Sequence, residues 1–174
     1  MSENSSYPLV MRLSNIIKTP DLPPLVARYK AIRLHALTTD PDAFSSTLAR
    51  ETAFTDEVWA SRILNPLATS FVAVRRVPED LEDEISPPDS DTLELAASEW
   101  MGQVTLLGPV FHSTPSTDNG KVNAGRPWVV FDGIDFHEAA DAVPRIRRGS
   151  RVVYILAAMY VRPEARGAGY DGMR

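Results

Sequence analysis

Arg166-Gly167-Ala168-Gly169-Tyr170-Asp171-Gly172 is the stretch of this sequence whose residue types are best suited to chemistry. Glycines let bare backbone amides approach a ligand, and amides that open a helix carry the partial positive charge that suits a phosphate. The preceding run, Val152 to Val161, is rich in β-branched and aromatic residues, and Arg162-Pro163 breaks it, so a strand delivers the chain into the loop. Just before that strand, Arg145, Arg147, Arg148 and Arg151 form a basic cluster that could meet a phosphate or line a solvated edge. The letters Gly167 to Gly172 also spell the dinucleotide fingerprint, which needs a βαβ unit and an acidic residue about twenty positions on. The sequence runs only to Arg174, and no Gly-Lys-Ser or Gly-Lys-Thr follows to make a Walker loop. A plainer reading has the glycines simply ending a strand.

Other chemistry is sparse. There is no cysteine, hence no disulfide framework, thiolate nucleophile or cysteine zinc site, and His35, His112 and His137 have no metal-ligand spacing. No metal is expected. His35 reads as an exposed or rim residue, and neither Glu99 nor His137 stands in a recognisable catalytic position, so no catalytic residue is assigned.

The elements that must position the loop follow from pattern. Residues 8 to 13 read as a first strand. Asp21 caps a helix with Pro23 and Pro24 in its first turn, and Leu25, Tyr29, Ile32, Ala36 and Leu37 then fall on one face to near Thr38. Asp40-Pro41 breaks that helix, and Phe44 is either a core anchor or part of a ligand wall. Ser45 to Phe54 reads as a short helix, and Thr55-Asp56-Glu57 opens another carrying Trp59 and Ile63, which Asn65-Pro66 ends. Residues 70 to 76 alternate as a second strand. Residues 99 to 110 make a third, 128 to 131 a further strand or apolar plug, and 136 to 143 a helical turn or two closed by Pro144. Consecutive strands without helices between them predict an α+β fold with a mainly antiparallel sheet flanked by helices.

Length is that of one domain spanning 1–174, and the 44% hydrophobic and 24% charged fractions are those of an ordinary globular chain. The seven acidic residues of 79 to 91 outweigh the net charge of −5 and leave +2 elsewhere. That balance suits a small anionic ligand and is too weak for nucleic acid. Residues 77–96, acidic and proline-bearing, are expected to be a disordered insertion loop, a solvated surface or a docking point for a basic partner. No basic start with an apolar core opens the chain and no run is long enough for a membrane span. The expected compartment is the cytoplasm, and the composition is also compatible with the nucleus.

Two stretches are similar to a known family. Met159-Tyr-Val-Arg-Pro-Glu-Ala-Arg166-Gly-Ala-Gly169-Tyr resembles the acetyl-coenzyme A signature of the GNAT N-acetyltransferases, R/Q-x-x-G-x-G/A, with Arg166 at the R/Q position and Gly169 at the central glycine. Arg33-Leu-His-Ala-Leu-Thr-Thr-Asp-Pro-Asp-Ala-Phe-Ser-Ser-Thr, followed by Glu51 and Trp59-Ala-Ser-Arg62, resembles the first-helix region of the same family.

The resemblance implies a GNAT-like sheet and transfer of an acetyl group from acetyl-coenzyme A to a primary amine of a small molecule or protein. It places Met159, Tyr160 and Val161 along the pantetheine arm, and Arg166, Gly167, Ala168, Gly169 and Tyr170 around the pyrophosphate. Asp171 departs from the motif, which has glycine or alanine there. The family's later elements do not follow within the sequence, so a C-terminally shortened member with weak or no transfer is the expectation. The alternative is a non-catalytic remnant serving as an interaction module, with self-association through an exposed sheet edge.

Overall fold

Four strands pair in sequence order into one antiparallel sheet, β1 (Tyr7–Leu13), β2 (Ala68–Arg76), β3 (Trp100–Phe111) and β4 (Val152–Val161). The computed structural model describes residues 7–76, 90–111, 134–145 and 152–167. The fold is α+β, as the strand succession predicts, and among the described residues β4 lies at one edge of the sheet.

Register sorts the side chains to two faces. Met11, Val72, Gln103 and Tyr160 are direct partners across the four strands, so they share a face, and all four are buried. The neighbouring row, Val10, Ala73, Gly102 and Val161, points the other way, with Val10 and Val161 in solvent. Helix α1 (Leu22–Thr39) covers the first face. Its residues Leu25, Val26, Tyr29, Ile32 and Ala36 join Leu13, Val72, Val74 and Trp100 in the core.

Pro23 and Pro24 start α1 at no cost in hydrogen bonds, but the Asp21 side chain makes no capping bond. Two short helices follow, α2 (Leu48–Thr52), capped by the Thr47 hydroxyl, and α3 (Asp56–Ile63), which buries Trp59 and Ile63. Thr55 precedes α3 without capping its backbone. Helix α5 (Phe136–Ala142) is held by the Asp135 carboxylate, which accepts from the amides of His137 and Glu138, and a tight turn over Val143–Arg145 follows. Pro144 therefore lies inside that turn, one residue beyond the predicted stop.

The expectation of a loop through residue 96 needs correction. Helix α4 (Ser90–Ala97) occupies its last third and buries Leu95. The indole N–H of Trp100 donates to the Leu95 carbonyl at 2.8 Å, and Arg28 of α1 donates to the carbonyls of Ala96 and Ala97. The rest of the acidic segment, 77–89, lies outside the described residues, as do 128–131.

Candidate functional site

The end of β4 is shaped by one extra residue. Gln103 pairs with Tyr160 and Thr105 with Ala157, so Val104 alone stands opposite both Ala158 and Met159. This is a β-bulge, which bends its strand and frees backbone groups from the ladder. Ala158 turns the corner at φ +52°, in the left-handed region where a Cβ costs about 1–2 kcal/mol. Met159 is thrown into solvent, 69% exposed, while Tyr160 returns to the helix-covered face at 4%. Backbone in this region costs about 1–3 kcal/mol and persists only where the surrounding structure holds it, here the β3–β4 register. Replacing Ala158 with glycine should raise stability by up to about 1 kcal/mol in denaturant unfolding, because it lifts the Cβ penalty at some entropic cost.

Beyond the bulge the strand meets the last turns of α1. The Tyr160 hydroxyl lies 2.8 Å from His35 Nδ1, and the Thr39 hydroxyl 3.4 Å from the same nitrogen. Arg166 donates through Nε to the Val161 carbonyl at 2.9 Å and through Nη2 to the Asp40 carboxylate, with its guanidinium 5.8 Å from the centre of the Tyr160 ring. Asp40 itself ends α1, its amide donating to the Ala36 carbonyl. The turn between strand and loop is a short helical one at Pro163–Ala165, and Arg162 above it pairs with Glu99 of the β2-β3 side at 3.1 Å. The Glu164 carboxyl sits below its ordinary value, chiefly because its own amide donates to it, with the Arg162 charge and hydrogen bond adding to the effect. Gly167 follows at φ +82°, with no atom of the described residues within 4 Å of where a Cβ would stand.

Gln103 is the odd member of this neighbourhood. It is 5% exposed, directly opposite Tyr160, and neither its amide nitrogen nor its oxygen has a partner among the described residues. A buried polar group left unpaired costs about 1–3 kcal/mol, so one that persists asks for a polar group from elsewhere.

A second charged cluster is structural. Glu51, 1% exposed, accepts from Arg33 Nε at 3.0 Å and Nη2 at 2.8 Å and from Arg62 Nη1 at 3.0 Å. Arg33 stacks on Phe44 and Arg62 on Phe54 and Trp59. Burial alone would raise the Glu51 carboxyl, but hydrogen bonds from Arg33 and Ser46 and the charges of both arginines outweigh it and bring it down to about 2. These hydrogen bonds tie α1 to α2 and α3, so the cluster holds the three helices together. Phe44 is accordingly an anchor, packed against the core.

A groove of about 430 Å³ opens between α1 and α3, lined by Leu22, Pro23, Val26, Ala27, Lys30, Asp56, Glu57 and Ala60. It lies at the opposite end of α1 from His35, and its rim cation Lys30 is paired with Asp56 at 3.0 Å.

Of the residues expected to hold a ligand, Met159, Tyr160, Val161, Arg166 and Gly167 gather at this strand exit. Ala168, Gly169 and Tyr170 lie outside the described residues, as do Arg147, Arg148 and Arg151. Tyr160 turns its side chain to α1, and the Arg166 charge is already met by Asp40. His35, read from sequence as a rim residue, is half-buried and bonded to Tyr160; nothing in the local sequence announces a partner 125 positions away. Glu99 is a partner for Arg162, and His137 is exposed on α5. Among the described residues no group of three acidic, histidine or cysteine side chains could hold a metal, and no helix is long and apolar enough to cross a membrane. No protein-family model, curated protein or solved structure matches the chain.

Proposed function

We propose that the chain is a GNAT-type N-acetyltransferase that takes acetyl-coenzyme A at the exit of β4 and passes the acetyl group to a primary amine. The observation that carries this reading is the meeting of two stretches chosen on resemblance from opposite ends of the sequence. His35 and Asp40 of the first are bonded to Tyr160 and Arg166 of the second. The bulge fits the ligand proposed for it, because backbone groups of Ala158 and Met159 released from pairing suit the amide-bearing pantetheine arm. At Gly167 the open side would let the chain approach a pyrophosphate, and amides rather than the Arg166 side chain would carry the contact. The bound thioester supplies the acetyl group and an oxygen that gains charge during attack, which preorganised backbone donors stabilise. Nucleic acid, membrane and metal play no part in this reading.

Calorimetric titration with coenzyme A tests it. Saturable binding is expected, weakened about tenfold or more (~1.4 kcal/mol) in Gly167→Val, which adds bulk where the backbone must approach and a Cβ at a positive φ. No binding by a folded chain would leave the second reading, an interaction module. That reading is favoured by the edge position of β4 and by Tyr154, Leu156, Met159 and Val161, all exposed on it. It predicts self-association in sedimentation that substitution of Leu156 by lysine abolishes.

A further inference from the structure

We propose that Tyr160 and His35 form a proton path out of the acetyl-transfer site, with Tyr160 as the catalytic residue and His35 as the group that receives and discharges the proton; the assignment rests on the acetyltransferase reading. Tyr160 is the one side chain of the strand exit that is buried on the α1 face, one residue beyond the bulge, and its oxygen is 2.8 Å from His35 Nδ1. With the phenol O–H donating to Nδ1, the oxygen keeps lone pairs for a donor arriving from the site, and the imidazole carries its own hydrogen on Nε2. His35 is half-buried where Tyr160 is 4% exposed, so the proton leaves toward solvent through His35.

The surroundings suit a passing positive charge. His35 lies in the last turns of α1, where the helix dipole favours cations, and Glu164 is close enough to His35 for their charges to interact. Thr39 contributes only a neutral hydroxyl, and the cation beside the Tyr160 ring, Arg166, is met by Asp40. From the facing strand β3, the only polar side chain opposite Tyr160 is Gln103, whose unpartnered amide offers an acceptor for an incoming N–H.

The step balances as follows. An ammonium proton of the acceptor passes to the Tyr160 oxygen as the phenol proton passes to Nδ1, and the resulting imidazolium releases its Nε2 proton to water; once product has left, water entering the site takes the phenol proton, the Nδ1 proton returns to the Tyr160 oxygen and Nε2 regains a proton from solvent, which restores the Nε2–H form. The neutral amine nitrogen then bonds to the thioester carbonyl carbon, the carbon–sulfur bond breaks, and the surplus amine proton leaves with the sulfur as thiol. Positioned proton transfer of this kind contributes about 10²–10⁴-fold.

Two measurements on the whole chain decide it. Ring nitrogen spectra of the histidines should show His35 as the Nε2–H form with a bare, hydrogen-bonded Nδ1, a signature lost in Tyr160→Phe; an Nδ1–H form would overturn the proposal, since nothing could then receive the phenol proton. Acetyl transfer to butylamine, protonated at neutral pH, should fall at least about 100-fold in Tyr160→Phe and in His35→Gln, with the double variant no worse than either. Transfer to hydroxylamine, already neutral, should fall less than about threefold. Equal losses with both amines, no loss, or no transfer to either amine by a chain that binds coenzyme A would overturn the path while leaving the ligand site standing. Absence of coenzyme A binding would overturn the acetyltransferase reading and the path with it.

Discussion

Glu51→Gln should cost about 3–5 kcal/mol of folding stability. The carboxylate is the common partner of two arginines, and both lose their counter-charge at once while remaining in place against Phe44, Phe54 and Trp59. The amide of glutamine keeps the shape and part of the hydrogen bonding, so the loss reports charge rather than volume. For a chain of this length that is a drop in melting temperature on the order of 10 °C. Arg62→Gln should cost less, because Arg62 is one-third exposed and leaves the Arg33 pair intact. The same group makes the fold acid-sensitive. Its folded-state carboxyl lies near 2, below the ordinary 4.5, so its contribution is complete above about pH 4.5 and is lost as pH falls toward 2. That contribution is about 3 kcal/mol, and urea unfolding of the wild type and Glu51→Gln should converge by that amount between neutral pH and pH 2.

Trp100→Ala is the second large loss, at about 3–5 kcal/mol. The indole is almost fully buried and meets Tyr29 edge-on at 6.5 Å between centroids, while Tyr29 meets Trp59 in the same way on its other side. Removing it opens a cavity at the end of that aromatic row, beside Tyr29. It also strips the partner from the Leu95 carbonyl, so α4 loses its hydrogen bond to β3 and is held by Arg28 and by the packing of Leu95. Trp100→Phe separates the two contributions: it keeps most of the packing and loses the hydrogen bond, and should cost about 1–2 kcal/mol. Hydrogen exchange should show α4 opening well below the global free energy in both variants, whereas equal protection with wild type would contradict the attachment.

Much of this architecture is legible in the sequence where one element declares its own pattern. The period of Leu25, Tyr29, Ile32 and Ala36 marks the buried face of α1, and alternation marks β2. Helix α4 is not legible in that way. Its eight residues sit at the end of a run whose acidic, proline-bearing composition argues for a loop, and what orders them is Trp100 and Arg28, distant groups satisfying α4 carbonyls. The same holds for the site. Arg166 and Gly167 can be picked out by letter, but the bulge at Ala158 depends on pairing register with β3, which Ala157-Ala158 does not record. His35 looks like a rim residue until β4 brings Tyr160 to it, and Glu51 looks like an ordinary helical acid until α1 supplies Arg33. Local propensity shows which elements exist; the chemistry arises where two of them meet.

The most direct test of a coenzyme A site at the end of β4 is residue-resolved hydrogen exchange with and without coenzyme A. Backbone groups freed by the bulge and at the loop should be covered by the ligand, so added protection is predicted at Ala158 to Val161 and at Gly167, with none at Leu22 to Ala27. Binding that leaves the β4 amides unchanged and instead protects the groove between α1 and α3 would contradict the account.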